Sequence, residues 1–343
     1  MKSRLFSLLL LLAVPVCAAA SDLPHILVIA TGGTIAGEQA DPGTLEGYEI
    51  RRPISELVSA VPEAKKYARI ETEQFSNIPS PNISPVQWLQ LARRINNLFK
   101  ERPDLAGIVV THGTARLDET AFFLHLAVKS DRPVVVVGAQ RPPTGISPDG
   151  ALNLLSGIRV AASPEARGKG TLVVMDERIL SARDAEKMYA RSGGFDAAEM
   201  GLLGIVATHG VEFFYAPARR HTLHTEFDLS VVSDLPVVDI RYSYAGAGGS
   251  VVDENVKGIV VATTGFTPTE RTFYENLQRR GIVVAATFPS GENVNSPSSP
   301  KEKDPGNVVA VERLTPLHAR ILLMMALTKT TDPKEIQRIF SEY

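Results

Sequence analysis

The stretch that decides the fold is HILVIATGGTIAG at residues 25–37, where an apolar run ends in two glycines and a threonine. Residues 25–30 are almost continuously apolar and do not alternate with polar side chains. A strand of this kind is covered on both faces, as in a parallel sheet between helices. The Gly-rich turn at residues 31–37 then follows the carboxyl end of that strand.

Eight further apolar runs predict strands, at residues 107–111, 133–138, 171–175, 203–207, 236–241, 258–262, 281–285 and 307–312. Segments between them have helical spacing of apolar residues and predict helices at 84–100, 117–129, 149–162, 269–280, 315–330 and 333–343. The first helix begins with Ser84 as N-cap and Pro85 at the first helical position. Strands that alternate with helices indicate an α/β protein.

The segment 213–234 interrupts this alternation, because it holds a proline, two histidines and several charges without a clear period. We predict that it links a larger N-terminal α/β domain at residues 21–212 to a smaller C-terminal one at residues 235–343. Its histidines, His221 and His224, are spaced like metal ligands. No matching acidic or histidine cluster accompanies them, so no metal site is predicted.

Residues 1–20 have the pattern of a secretory signal peptide, with a cationic start at Lys2 and Arg4, an apolar run and small residues before Ser21. We therefore predict export to the periplasm. Cys17 is the only cysteine, so the mature chain would have no disulfide and no thiolate nucleophile. The alternative is a lipoprotein that keeps an acylated Cys17.

The composition is that of a globular protein, with 343 residues, 44% hydrophobic and 22% charged, and a formal net charge of −2. Basic runs with interleaved aromatic residues are absent from the sequence, which argues against a nucleic-acid partner. After removal of the leader no membrane attachment is predicted. The partners expected are a small-molecule substrate and further copies of the chain.

Hydroxyl side chains follow two predicted strands, at the carboxyl ends where α/β sheets bind ligands. Thr34 lies in the Gly-rich turn, and Thr114 closes the motif THGT at residues 111–114. No phosphate-binding loop motif is present in the sequence. A hydroxyl nucleophile suits acyl transfer but needs a proton acceptor, for which Tyr48 and Lys187 are candidates. We expect His112 to be a structural histidine.

Three blocks together, at residues 31–37, at 111–114 with 118–120, and at 137–142, resemble the bacterial type II periplasmic L-asparaginases and glutaminase-asparaginases. The resemblance runs over essentially the whole mature chain. It implies a larger N-terminal domain with a flavodoxin-like parallel sheet and a smaller C-terminal α/β domain. It further implies a homotetramer, built as a dimer of dimers, whose active sites are completed by the partner's C-terminal domain.

The activity that the resemblance implies is hydrolysis of a side-chain amide, L-asparagine to L-aspartate and ammonia, through an acyl-enzyme and without a metal or cofactor. Thr34 matches the family's nucleophile and Tyr48 its mobile-loop tyrosine. Thr114 and Lys187 match the second threonine and its lysine. Substrate-binding positions of the family fall on Ser80, which would contact the α-carboxylate, and on Gly33, Gly113, Ala115 and Ala139.

The chain departs from the family pattern where the substrate's α-amino group is recognised. Ala115 replaces an aspartate that pairs with this group and supports the lysine, Pro81 replaces a Gln or Glu, and Phe266 replaces an asparagine. The glutamate supplied by the partner subunit matches either Glu292 or Asp304. An unpaired ammonium group in a dry site costs several kcal/mol.

We therefore expect weak binding of free L-asparagine, and better binding of amides whose amino group is missing or acylated. Arg116 either contacts a substrate carboxylate or is a solvated residue at the start of a helix. Two other functions stay open at this point. The chain could be a binding or sensing protein with little turnover, or a hydrolase of related esters or lactams.

Overall fold

The computed structural model describes residues 23–41, 47–197, 200–291 and 307–343. The predicted leader at residues 1–20, with Cys17, lies outside the described residues. So do Glu292 and Asp304, the two candidates for the partner's glutamate.

The described chain alternates strands with helices. Its strands are β1 His25–Gly32, β2 Gly37–Gln39, β3 Tyr48–Ile50, β4 Arg69–Ile78, β5 Leu105–Thr111, β6 Val134–Val137, β7 Thr171–Met175, β8 Arg178–Ser181, β9 Glu186–Lys187, β10 Phe195–Asp196, β11 Leu202–Val206, β12 Val211–Phe213, β13 Val237–Tyr242, β14 Val256–Ala262, β15 Val283–Thr287 and β16 Val309–Ala310. Its α-helices are α1 Ile54–Ser59, α2 Pro85–Glu101, α3 Leu117–Ala127, α4 Gly150–Ala162, α5 Pro268–Arg279, α6 Pro316–Leu327 and α7 Pro333–Glu342.

The first sheet has eight strands in the order β12-β11-β8-β7-β6-β5-β1-β4. Strands β4, β1, β5, β6 and β7 are parallel to one another, and β8, β11 and β12 continue the sheet antiparallel. Numbered along the chain, the five parallel strands have the order 2-1-3-4-5, which is the flavodoxin-like order. The predicted fold of the larger domain is thus confirmed.

A second, smaller sheet contains β13, β14, β15 and β16 in sequence order, and all neighbouring strands are parallel. Helix α5 connects β14 to β15. Two antiparallel hairpins, β2–β3 and β9–β10, stand outside both sheets. The chain therefore consists of a larger and a smaller α/β unit, as the sequence predicts. The boundary residues of the two domains stay predictions.

Local sequence explains most of these elements. All side chains of β1 are buried, and so are the four valines of β6, as expected for strands covered on both faces. Helix α2 begins with a capping box, in which the Ser84 hydroxyl accepts a hydrogen bond from the Gln87 amide and the Gln87 side chain accepts one from Ser84 N–H. Thr267 and Glu270 form the same box at α5.

The largest difference from the sequence prediction is strand β4, a ten-residue strand that the apolar pattern does not indicate. It lies at the edge of the large sheet beside β1, and its polar side chains are half-buried or exposed. An edge strand has one open side and can carry such residues. The run predicted at residues 307–312 forms only the two-residue strand β16.

Helix α3 lies between the two units, and all eleven of its residues are buried. It packs on the large sheet and on α6 of the smaller unit, where the rings of Phe122 and His318 lie 4.8 Å apart. The two units thus share one apolar core. No helix in the described part of the chain is long and apolar enough to cross a membrane.

Candidate active site

The two threonines that the sequence singles out lie where the strand order of the large sheet reverses. Strands β1 and β5 are parallel neighbours, with Ala30 opposite Thr111. The next strand of the sheet after β1 is β4, towards one edge, and the next after β5 is β6, towards the other edge. Short 3-10 helices follow both strands, Thr34–Ala36 after β1 and Thr114–Arg116 after β5. In doubly wound sheets ligands bind in the crevice at this switch point.

The loops after β1 and β5 touch through two glycines. Gly33 has φ +85°, and a Cβ atom on it would lie 2.1 Å from the Cα of Gly113. A Cβ on Gly113 would lie 2.5 Å from the Cβ of Ser80. Only glycine allows this approach, so the three predicted substrate-binding positions Gly33, Gly113 and Ser80 are brought into contact.

Thr34 is paired with Tyr48. Their side-chain oxygens, Oγ1 and OH, lie 2.7 Å apart in a hydrogen bond in which either group can donate. The Thr34 side chain is largely buried, and Tyr48 is 36% exposed. The hairpin β2–β3 brings the tyrosine there, since Tyr48 pairs with Gln39 five residues after Thr34 in the chain.

Thr114 is paired with Lys187. The Lys187 Nζ donates to the Thr114 Oγ1 at 2.6 Å, and the hairpin β9–β10 holds Lys187 opposite Phe195. Burial lowers the pKa of the Lys187 amine below its ordinary value, and the nearby negative charge of Asp118 opposes that effect. The structure therefore forms two hydroxyl pairs, each joining a threonine to a titratable side chain.

A chain of hydrogen bonds holds the loop that carries Thr114. The Gly113 carbonyl accepts from the Ser80 hydroxyl and, at 2.8 Å, from His112 Nδ1. His112 Nε2 accepts from the Thr120 hydroxyl at 3.0 Å, which itself accepts from Trp88 Nε1 at 2.8 Å. His112 is fully enclosed, and burial lowers its pKa to about 4, so it is a neutral structural histidine.

Both pairs open into one cleft of about 910 Å³. Its described walls include Thr34, Tyr48, Thr114, Lys187, Gly33, Gly113, Ser80, Pro81 and Ala115. Ala139 is fully buried and is not among the lining residues, so the structure does not bring it to the cleft wall. Eight of the nine residues predicted for catalysis and substrate binding thus meet at one place.

The cleft is positively charged. Among its described lining residues Arg141, Lys187 and Arg191 are basic, and Glu49 is the one acidic residue. The Glu49 carboxylate forms an ion pair with Arg51 at 2.5 Å, and this pair balances its negative charge. Among the described lining residues the cleft thus has one carboxylate, and that carboxylate is already ion-paired.

The departures from the family pattern have plain structural consequences. Ala115 and Pro81 are exposed at the cleft wall and carry no polar side-chain atom. Phe266 packs edge-on against Tyr274 with ring centroids 5.6 Å apart. Arg116 does not line the cleft; its guanidinium lies 3.3 Å from Glu119, while its main-chain N–H donates to Ser80 Oγ. The solvated interpretation of Arg116 fits this placement.

Sequence reasoning missed two residues near the site. The Gln140 side chain lines the cleft, with Oε1 3.4 Å from Thr114 Oγ1, a long separation for a hydrogen bond. It lies in the block 137–142, which was the available signal. Asp118 accepts a hydrogen bond from the Lys187 main-chain N–H at 3.2 Å; it lies in the block 118–120, which marked the segment but not this contact.

No group of three or more His, Cys, Asp or Glu side chains within the described ranges is arranged to hold a metal ion. His221 and His224 have ring centroids 6.4 Å apart, and His221 lies 5.0 Å from His125. His221 and His125 are buried where α3 meets the linker, and burial lowers the pKa of His221 to about 4, whereas His224 is exposed.

The larger unit is a doubly wound domain with a threonine-lined cleft at its switch point, and it is joined to a second α/β unit. Comparison with known proteins shows that this arrangement is the one of the asparaginase-type amidohydrolases. The family model "Asparaginase, N-terminal" matches residues 25–219, and the model "Glutaminase/Asparaginase C-terminal domain" matches residues 237–340. The chain belongs to the asparaginase family.

Relatives of the chain carry matching names. It is 43% identical to L-asparaginase 2 of Bacillus subtilis (strain 168), covering 94% of this chain and 87% of that protein. It is 38% identical to the glutaminase-asparaginase of Pseudomonas fluorescens biotype A, covering 98% and 97%. The crystal structure of a probable cytoplasmic L-asparaginase from Campylobacter jejuni superposes with a TM-score of 0.84 at 37% identity, covering 93% and 99%.

Proposed function

We propose that the chain hydrolyses a side-chain amide through an acyl-enzyme on Thr34. The observation that carries the proposal is the 2.7 Å hydrogen bond between Thr34 Oγ1 and the Tyr48 hydroxyl, at the cleft wall. A threonine hydroxyl is a weak nucleophile and needs such a partner to remove its proton. We therefore assign Tyr48 as the proton acceptor of the nucleophile Thr34, and Lys187 as the proton donor to the second threonine, Thr114.

In the proposed reaction Thr34 Oγ1 attacks the amide carbon and releases its proton through Tyr48. The proton passes from Tyr48 to water. The carbon–nitrogen bond then breaks, and the nitrogen leaves as ammonia after gaining a proton that Lys187 supplies by way of Thr114. Water attacks the resulting ester and gives one proton to Thr34 as the ester bond breaks, so that the carboxylic acid leaves. Lys187 regains a proton from water, and all four side chains end the cycle in the states in which they began. Pairing each transfer with a preformed hydrogen bond lowers the cost of orienting the groups.

The substrate of this reaction is an amide with a carboxylate and without a free ammonium group. Ala115 and Pro81 give the cleft wall no acidic or amide side chain at these positions, and the basic lining residues favour an anion. Transfer of an ammonium group from water to such a wall is unfavourable. L-Asparagine is then a weaker substrate than succinamate or N-acetyl-L-asparagine.

The location of the protein, its assembly and its domain boundaries are further parts of the proposal. We infer export to the periplasm from residues 1–20, and a homotetramer from the family resemblance. Family membership does not decide the compartment, since the Campylobacter jejuni relative is described as cytoplasmic. The division at residues 21–212, 213–234 and 235–343 is likewise proposed.

The experiment is ammonia release by the chain purified from residue 21 onward, with the Thr34→Ala variant as control. Succinamate and N-acetyl-L-asparagine are compared with L-asparagine and L-glutamine. We expect turnover of the first two, lowered about 10,000-fold by Thr34→Ala. Efficient use of L-asparagine would refute the substrate proposal alone, while equal activity of Thr34→Ala would refute the nucleophile.

A further inference from the structure

Lys187 stands between two cavities. Its ammonium group donates to Thr114 in the cleft, and the residue also lines a second cavity of about 320 Å³ between the two α/β units. The charged groups at the cleft wall are Glu49, Arg141 and Arg191. Those in the second cavity are Asp118, Arg183, Asp184, Glu186 and Arg313.

The negative charge of Asp118 acts on the Lys187 amine and supports its charged form against the effect of burial. The carboxylate is itself held firmly. It lies in the first turn of α3 and is only 6% exposed, its Oδ1 accepts from the Glu119 N–H at 3.0 Å, and its Oδ2 accepts from the Lys187 N–H at 3.2 Å. Asp118 thus ties the short strand β9 to the helix that follows Thr114.

The Asp118 carboxylate matters more because position 115 has no charged side chain. The residue directly after Thr114 is Ala115, whose side chain ends at Cβ and offers Lys187 no charge. A lysine ammonium group that is half-buried and points at a neutral hydroxyl is stabilised by a nearby negative charge. Asp118 provides that charge from the side of Lys187 away from the cleft, since it lines the second cavity and not the cleft.

On the basis of the proposed function, we propose that Asp118 is a positioning residue of the site: its carboxylate holds the main chain of Lys187 so that Nζ meets Thr114 Oγ1, and its charge supports the ammonium form of Lys187. Asp118 touches neither the nucleophile nor the cleft. Its removal should therefore change turnover and its pH dependence more than substrate binding.

The test compares Asp118→Asn with Glu119→Gln, a matched variant. Glu119 is the adjacent buried carboxylate in the same turn, but it faces Arg116 and Arg320 rather than Lys187. Initial rates of ammonia release from succinamate and N-acetyl-L-asparagine are measured between pH 5 and 10. For Asp118→Asn we expect kcat to fall about 10- to 100-fold with KM nearly unchanged, and the alkaline limb of the profile to move to lower pH.

The sign follows from the charge. Without the carboxylate the ammonium form of Lys187 is less stable, so Lys187 loses its proton at a lower pH. Asp118→Glu keeps the charge and should restore the position of the limb even if its longer side chain lowers kcat, and it serves as the second variant if Asp118→Asn does not fold. An unmoved limb in Asp118→Asn, or an equal shift in Glu119→Gln, would overturn the proposal.

A readout that needs no turnover separates this proposal from the proposed function. The titration of Lys187 is followed by NMR of the chain with ¹³C-labelled lysine, and the resonance is assigned by its loss in Lys187→Arg. A lower pKa of Lys187 in Asp118→Asn than in the unchanged chain supports the inference even if no amide is hydrolysed. An identical pKa refutes it even if the enzyme is active.

Discussion

The backbones of Gly33 and Gly113 are in direct contact, so that a Cβ on Gly33 would lie 2.1 Å from the Cα of Gly113. The two glycines follow neighbouring parallel strands and are 80 positions apart in the chain. Their contact brings the loops of Thr34 and Thr114 against each other. The geometry of the cleft thus depends on the absence of two side chains.

We predict that Gly33→Ala destabilises the protein and abolishes activity. The new Cβ meets backbone atoms, which cannot move aside as a flexible side chain could, and φ +85° is strained for alanine. The free energy of unfolding, measured by urea denaturation, should fall by about 3 kcal/mol. Gly210→Ala is the control, since a Cβ there meets open space, and its effect should stay within about 0.5 kcal/mol.

Tyr48→Phe should lower kcat about 100- to 1000-fold, because it removes the hydroxyl that contacts Thr34 and keeps the ring. Steady-state rates with succinamate check this, and folding should be unchanged because Tyr48 is 36% exposed. Tyr244→Phe, at a tyrosine that is 68% exposed and does not line the cleft, is the matched control. Full activity of Tyr48→Phe would mean that another group removes the proton of Thr34.

Ala115→Asp should raise kcat/KM for L-asparagine relative to succinamate by about 10- to 100-fold. The new carboxylate follows Thr114 at the cleft wall and can pair with the substrate's ammonium group, a charge-assisted hydrogen bond. The ratio of the two kcat/KM values, measured with one enzyme preparation, is insensitive to any loss of active protein. If the ratio does not change, ammonium recognition depends on other positions.

His112 should make the protein less stable as the pH falls from about 6.5 to about 4. Its pKa is lowered to about 4 in the folded state, while the unfolded chain takes up the proton near the ordinary value of 6.5. The unfolded state therefore binds more protons in this window, and stability present above it is lost as the pH falls. His112 alone should account for about 2 to 3 kcal/mol between pH 7.5 and 4.5.

Urea denaturation at a series of pH values measures this slope. His112→Asn, whose side-chain amide can still donate to the Gly113 carbonyl, should be less stable at pH 7.5 and have a shallower slope. His209→Asn, at a histidine with a 74% exposed side chain that pairs with Glu212, should not make the slope shallower. An equal slope in His112→Asn would assign the acid sensitivity to other groups, such as His125, His221 and His318, whose pKa values burial also lowers.

Much of the architecture could be predicted from local sequence. The apolar runs of β1, β5 and β6 indicate strands covered on both faces, and the Ser84 capping signal places the start of α2 within a residue. Strand β4 could not be predicted in this way, because an edge strand is not required to be apolar. The hairpin β2–β3 was also missed, although its role is to bring Tyr48 to Thr34.

By itself, the sequence determined which side chains follow the strands, since apolar patterns and turn glycines are local properties. It therefore predicted Thr34 and Thr114 as the candidate reactive hydroxyls. No local pattern relates Thr114 to Lys187, 73 residues further on, and the pairing was expected only from the family resemblance. The tertiary structure decided the contact between their side chains and the position of Asp118 beside the Lys187 main chain. Such contacts depend on strand order and hairpin register, which join residues that no local pattern relates. For the same reason Ala139, close in sequence to the site, lies buried outside the cleft.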